Sequence, residues 1–169
     1  MSETNLSKTP TTVSTDHIRH ALDQLVGYHL RRASVHDLNG AVAALDDVGA
    51  RPITMSVLLS IVEQPGSTSA DICRMLGIKR ANIVGLLQQL EARDLFLRKD
   101  DPSDQRIQRL YPTETGLKTA LDWLERVRQH EEKTLRRLSR EERAELRRLL
   151  ALIWTPPAPR LRKSLRPPR

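Results

Sequence analysis

The fold is set by residues 71–111, which read DICRMLGIKRANIVGLLQQLEARDLFLRKDDPSDQRIQRLY. Ile72, Met75 and Leu76 form an apolar stripe at helical spacing, and Gly77 follows where a helix needs a left-handed terminating residue. A second apolar set recurs at i, i+3, i+4 and i+7, namely Ile83, Leu86, Leu87 and Leu90. We therefore predict two helices joined by a tight glycine turn, the second with one buried and one open side.

Two strand-like runs follow the second helix. Leu95–Arg98 and Ile107–Tyr111 flank the charged segment 99–106, in which Pro102 and several aspartates supply turn chemistry. Two helices joined by a glycine turn and followed by a hairpin form a winged helix-turn-helix, whose second helix can enter a DNA major groove. The sequence thus predicts a mainly α fold that binds double-stranded DNA.

At these positions the chain resembles the multiple-antibiotic-resistance regulator (MarR) family. The resemblance rests on LGIKRANI at 76–83, LEARDL at 90–95, DPSDQR at 101–106 and LYPTETG at 110–116. It extends from about Leu25 to Trp154. Two positions depart from the family pattern: Lys79 replaces the usual Asp or Ser cap of the second helix, and Asp94 replaces a usual glycine.

Length and composition fit one helical domain. The chain has 169 residues, 3% of them aromatic, and a net charge of +7 that favours polyanionic partners. Cys73 is the single cysteine, so we interpret it as a packed thiol in a reducing compartment, with redox sensing as the alternative. No apolar run approaches the roughly 18 residues of a membrane span. With no signal pattern either, we expect a cytoplasmic protein without a membrane partner.

The chain divides into three segments. Residues 1–14 are rich in Ser and Thr and are predicted to be disordered, and residues 155–169 form a basic Pro/Arg-rich tail. The tail either adds non-specific affinity for DNA or keeps the protein soluble. Residues 15–154 form a single winged helix-turn-helix domain. Within it the winged motif spans about 52–112, and long helices for dimerisation span about 15–46 and 113–154.

The two terminal helices carry apolar faces that an isolated winged motif does not cover. In the last helix, which begins at a Ser139–Glu142 capping box, we predict that Leu146, Leu149, Leu150 and Ile153 face inward. The resemblance implies an intertwined homodimer, with two second helices about one DNA turn apart on a pseudo-palindromic operator. The alternative is that these helices fold back on their own protomer.

Candidate DNA contacts cluster on the second helix of the motif and on the wing. Lys79 and Arg80 lie at a positive helix end, where cations are unfavourable unless phosphates or guanine edges lie nearby. Gly85 costs about 1 kcal/mol of helix propensity, which suits close approach of backbone to the duplex. Arg106, braced by Asp104, is predicted to enter a narrow minor groove. The predicted DNA-binding residues are Thr68, Ser69, Lys79, Arg80, Asn82, Gln88, Lys99, Arg106 and Arg109, and the alternative for each is a solvated surface residue.

The resemblance also implies a ligand-responsive regulator, most often a repressor. Such a protein leaves its operator when a small effector binds, often an aromatic acid or an aryl-coenzyme A thioester. An arginine suits the carboxylate of such a ligand and an aromatic residue suits its ring. The candidate effector residues are Tyr28, His29, Arg31, Arg32 and His36 on the first helix, Met55 and Leu59 on the next, and Trp123 after the wing. The alternative places Arg31 and Arg32 on a solvated face and Trp123 in a dimer core.

Other function classes have less support. A metal-responsive regulator of the same fold is suggested by His17 with His20 and by His29 with His36, but no cysteine partners or dense carboxylates accompany them. We therefore assign no metal ligands and no cofactor. A ligand-independent architectural DNA-binding protein would suit the basic tail. An enzyme is not expected, because the sequence has no Gly-rich phosphate loop, nucleophile elbow or metalloprotease helix.

Overall fold

The computed structural model describes residues 21–155. The predictions for residues 1–14, for His17 and His20, and for the tail beyond Thr155 lie outside this range.

The described chain is mostly helical, with one small sheet. A 3₁₀ turn (Leu22–Gln24) precedes α1 (Val26–Leu45), and a second (Asp46–Val48) leads to α2 (Pro52–Glu63). The motif then comprises α3 (Ser69–Leu76), α4 (Arg80–Glu91), and the antiparallel strands β1 (Phe96–Asp100) and β2 (Gln108–Pro112). The chain continues with α5 (Glu114–Thr134) and α6 (Arg140–Trp154). The mainly α winged helix-turn-helix is therefore confirmed, although α1 begins at Val26, later than the predicted start of its helix.

Local signals place the motif as predicted. Thr68 and Asp71 form a reciprocal cap at the start of α3, in which the Thr68 amide donates to Asp71 Oδ2 at 2.9 Å and the Asp71 amide donates to Thr68 Oγ1 at 3.2 Å. Gly77 ends α3 with φ 65°, a left-handed conformation that glycine adopts without steric cost. Asp94 takes a similar angle, φ 53°, just before β1. The glycine turn therefore sets how α4 leaves α3.

The core lies where α2 and α5 meet the motif. Gly116 packs directly on the backbone of Leu95, since a Cβ on Gly116 would lie 1.8 Å from the Leu95 carbonyl oxygen. Only glycine lets the first turn of α5 seat against the start of the wing. The largest fully buried side chains are Trp123, Leu45, Leu58, Ile61, Ile72, Leu90, Leu95, Leu110 and Val57.

The last helix does not pack into the core of the protomer. None of the residues of α6 is buried against the rest of the described chain, although Leu150 is half-buried, and the packing of its apolar side in a dimer stays a prediction. Trp154 is 71% exposed. An amphipathic helix with an uncovered apolar side needs a further surface to pack on. The exposed apolar residues of this helix are Leu146, Leu149, Leu152, Ile153 and Trp154.

Candidate nucleic-acid interface

The helix α4 has a buried side and an open side. Ile83, Leu87 and Leu90 are buried in the core. At 3.6 residues per turn, the opposite side carries Ala81 and Gly85, two small residues about one turn apart, and both are exposed. A Cβ on Gly85 would meet no other described atom within 4 Å. The helix backbone is therefore unusually accessible along its outermost line.

Polar and apolar side chains lie on both sides of the line formed by Ala81 and Gly85. Arg80, Val84 and Gln88 follow one another at four-residue spacing along one side of α4, and all three are exposed. Val84 is 56% exposed, so its methyl groups are open to solvent. Asn82 is exposed on the other border, and Lys79 precedes the helix without a side-chain cap in the described chain. The open side thus offers cationic, amide and methyl groups together.

The wing presents one arginine to solvent. Arg106 Nε and Nη2 donate to the two carboxylate oxygens of Asp104, each at 3.0 Å, and the Arg106 side chain is 91% exposed. The Arg106 guanidinium lowers the pKa of Asp104, and the carboxylate in turn raises the pKa of Arg106. The predicted bracing of Arg106 by Asp104 is confirmed. The pair holds the cationic head at the surface of the loop between β1 and β2.

Arg109 is placed differently from Arg106. Its Nε donates to Asp101, and its Nη1 donates to the Gly66 carbonyl oxygen at 2.9 Å. Two of its donor groups are therefore already used within the protein. Lys99, its partner across the hairpin, lies with Nζ 5.2 Å from the centre of the Tyr111 ring.

The start of α3 is less open than the sequence suggested. The Thr68 hydroxyl donates its proton to Asp71 Oδ2 at 2.7 Å, so it has no proton left for a phosphate. The Asp71 carboxylate also stands at this helix end, where hydrogen bonds from Thr68 lower its pKa. Thr68 therefore serves as a cap. Ser69 is half-buried and lines a small cleft of about 260 Å³ between α3 and α4, beside Arg80 and Val84.

Three of the residues predicted to bind an effector lie in or against the core. Trp123 is 1% exposed, and its ring lies 5.0 Å from the Arg93 guanidinium carbon. Met55 is buried, and Leu59 is half-buried against the same cluster. The predicted contact of Trp123 and Met55 with a ligand ring is not supported in this protomer, because core packing already encloses both side chains.

The remaining effector candidates lie on α1. A groove of about 1280 Å³ runs between the first half of α1 and the α5–α6 pair, and His29 and His36 line it. Tyr28, Arg32 and His36 follow at four-residue spacing on one side of α1, and Arg31 is exposed nearby. Of the other wall of the groove, sequence reasoning singled out only Leu146 and Leu150, as part of the apolar side of the last helix. The wall comprises Glu131, Glu132, Thr134, Leu135, Leu138, Arg140, Arg143, Leu146, Arg147 and Leu150.

Between Ala21 and Thr155, His, Cys, Asp and Glu side chains nowhere form a group of three that could hold a metal ion. No helix in the same range is long and apolar enough to cross a bilayer.

An exposed helix behind a glycine turn, followed by an arginine-bearing hairpin, defines the class of winged helix-turn-helix DNA-binding proteins. Comparison with known proteins gives the family. The profile described as MarR family matches residues 49–107. The chain is 26% identical to a Thauera aromatica protein described as regulating transcription of the hcr operon, over 76% of this chain and 78% of that protein.

Two similar solved structures are of the repressor CouR. CouR bound to a 23-mer DNA duplex is 32% identical with a TM-score of 0.73, covering 83% of this chain and 97% of that chain. CouR from Rhodococcus jostii RHA1 bound to p-coumaroyl-CoA is 30% identical with a TM-score of 0.74, covering 81% and 96%. The chain belongs to the MarR family of transcriptional regulators.

Proposed function

We propose that this chain is a homodimeric repressor, released from a pseudo-palindromic operator by an aryl-coenzyme A thioester or the corresponding aromatic acid. The open side of α4 carries the DNA-binding part of this proposal. Ala81 and Gly85 form the outermost line of α4, so no long side chain there keeps the helix away from the base edges. That arrangement suits a helix lying deep in a major groove.

The side chains beside the line of Ala81 and Gly85 then each face a group in the DNA grooves that they can bind. Arg80 pairs with guanine O6 and N7, Asn82 and Gln88 read adenine, and the Val84 methyl groups contact a thymine methyl. Lys79 and Lys99 approach phosphates, with Ser69 beside them. Arg106 enters the minor groove, because its head is exposed and already oriented by Asp104.

The dimer is supported by uncovered apolar surface at both ends of the domain. On α1, exposed Val26, Val35 and Leu38 lie outside the core, and α6 has its own exposed apolar side. Contiguous apolar surface of this kind marks an interface in a monomer that would otherwise expose it to water. A second copy of the chain, related by a two-fold axis, covers both helices at once.

The effector class rests on the similarity to CouR and on α1. The CouR structure contains p-coumaroyl-CoA, which has an aryl group and phosphates. Tyr28 offers a ring, while Arg31 and Arg32 offer cations for a carboxylate or phosphate beside it. His29 and His36 lie in the adjoining groove and contact the same ligand. We place the effector on this side of α1 and leave Trp123 and Met55 to the core.

The first experiment measures DNA binding without a known operator. The protein selects duplexes from a random-sequence pool, and fluorescence anisotropy then compares the selected duplex with a scrambled one. We expect a preference of at least 10³-fold, the lower end for specific DNA-binding proteins. Equal affinity for both duplexes would identify a sequence-insensitive architectural protein instead.

The second experiment tests the effector. p-Coumaroyl-CoA, p-coumarate and coenzyme A are added separately to the complex with the selected duplex. Release by the thioester or the acid, but not by coenzyme A, supports the proposed class, and an authentic effector also binds the free protein more tightly than the DNA complex. The Arg31→Ala, Arg32→Ala double variant should bind DNA but resist release. The adjacent pair Arg136 and Arg137, changed in the same way, is the matched control.

A further inference from the structure

The wing is tied to the rest of the domain along one edge of β2. The Gly66 amide donates to the Leu110 carbonyl at 2.7 Å, and the Leu110 amide donates to the Ser67 carbonyl at 3.0 Å. These bonds hold the root of the hairpin against the turn that precedes α3. They do not reach the loop 101–107, which carries Arg106.

The loop is organised by one buried carboxylate. Asp101 accepts hydrogen bonds from the Ser103 amide at 2.8 Å, from the Ser103 hydroxyl, and from the Asp104 amide at 3.3 Å. Its own amide donates to the Ile107 carbonyl at 2.9 Å, closing the loop on itself. The bonds from Ser103, and then that from Arg109, hold the pKa of Asp101 well below its ordinary value. Asp101 is therefore a fixed anion around which the loop folds.

Arg109 joins this loop to the body of the domain. Its Nε donates to Asp101 Oδ2, while its Nη1 donates to the carbonyl oxygen of Gly66 at 2.9 Å. Gly66 is itself held in a left-handed turn with φ 87°. The planar guanidinium reaches both acceptors at once, which a lysine ammonium on its flexible stem does not reproduce.

We propose that Arg109 is a positioning residue that fixes the angle of the wing and so delivers Arg106 to the DNA. This inference rests on the proposed contact between Arg106 and the minor groove. It replaces the expectation that Arg109 contacts a phosphate. With its side chain 40% exposed and two donor groups engaged, Arg109 acts through the loop that it anchors.

Three variants separate positioning from phosphate contact. Arg109→Lys keeps the positive charge but loses the bridge, so a phosphate contact would be largely preserved and a bridge would not. Asp101→Asn removes a negative charge near the proposed DNA contact. If that charge only repels phosphates, the variant should bind DNA more tightly. If Asp101 instead anchors Arg109, losing the bridge should weaken binding. Arg128→Gln, at an exposed position on α5, is the control for the loss of one positive charge in Arg106→Ala.

The measurement is anisotropy with the duplex that wild-type protein selects from a random pool. We expect Arg106→Ala to weaken binding about tenfold, the range for losing one hydrogen-bonded charge. Arg109→Lys and Asp101→Asn should each weaken binding by a similar factor, and adding Arg106→Ala to either should cost less than twofold more. Thermal unfolding of each variant checks that the domain remains folded.

The outcomes separate the two proposals. Wild-type affinity in Arg109→Lys, tighter binding in Asp101→Asn, or a full additional loss from Arg106→Ala in either background would overturn the positioning role while leaving the Arg106 contact intact. Unchanged affinity in Arg106→Ala alone would refute the contact itself, and this inference with it.

Discussion

Replacing Gly85 by alanine should stabilise the protein and weaken DNA binding at the same time. Gly85 is the sixth residue of α4, and alanine at a helix interior is favoured over glycine by about 1 kcal/mol. No other described atom lies within 4 Å of the added Cβ, so no steric cost offsets this gain. In a chain of this length, about 1 kcal/mol raises Tm by about 2–4 °C.

The same methyl group should be costly in the complex. Gly85 lies on the outermost line of α4, where the helix comes closest to the duplex in our proposal. Forcing an extra methyl into a packed interface costs about 1–3 kcal/mol, which is a loss of affinity of about fivefold to 150-fold. The assay is anisotropy with the selected duplex, alongside calorimetry at equal protein concentration because the Tm of the proposed dimer depends on concentration.

Gly27→Ala is the matched control. Gly27 is in the first turn of α1 and likewise has no other described atom within 4 Å of a Cβ. Its substitution should leave DNA affinity unchanged. A Gly85→Ala protein that is more stable yet binds DNA as tightly as wild type would refute the close approach of α4. A less stable one would show that glycine is required by the fold itself.

Four further changes test other parts of the proposal. Arg106→Ala should reduce the slope of log affinity against log salt by up to about one, and an unchanged slope in a salt titration would argue against a phosphate-proximal cation. Val84→Ala should make binding insensitive to replacing thymine by deoxyuracil in the selected duplex, whereas wild type should lose affinity; equal sensitivity in both would exclude the methyl contact. Leu149→Asp places an unpaired charge on the apolar side of α6 and should yield monomers in sedimentation velocity, so a persistent dimer would remove α6 from the interface. Asp101 has a native pKa below its unfolded value of 3.8 and therefore stabilises the fold at pH values above it. Asp101→Asn should lower Tm at pH 7, and the gap to wild type should narrow as the pH falls below the unfolded pKa; a gap of equal size at pH 7 and near pH 2 would contradict this.

Local features of the domain were predictable because each depends on residues within about four positions of one another. The reciprocal cap of Thr68 and Asp71 and the left-handed Gly77 lie where their residue types suggested. The same holds for the burial of Ile83, Leu87 and Leu90 on α4, which follows from helical periodicity. Bracing of Arg106 by Asp104 is also local, since the two residues are two positions apart.

Tertiary structure decided which side chains remain available for binding. The sequence left Trp123 open between a ligand contact and a dimer core. In the folded domain it is 1% exposed and belongs to the protomer's own core cluster. From the sequence alone, Arg109 was not distinguishable from the other cations of the wing. The fold places its guanidinium against the carbonyl oxygen of Gly66, 43 positions earlier in the chain.

The sequence by itself determined the order of helices and strands and the turn between α3 and α4. It also determined which residues of α4 lie on its buried side and which on its open side. Hydrogen bonds and periodicity within one or two helical turns are sufficient for these. The tertiary structure decided that Arg109 bridges the wing to the domain and that α6 lies uncovered in the protomer. Those outcomes depend on distances between segments far apart in the chain, which short-range patterns do not encode.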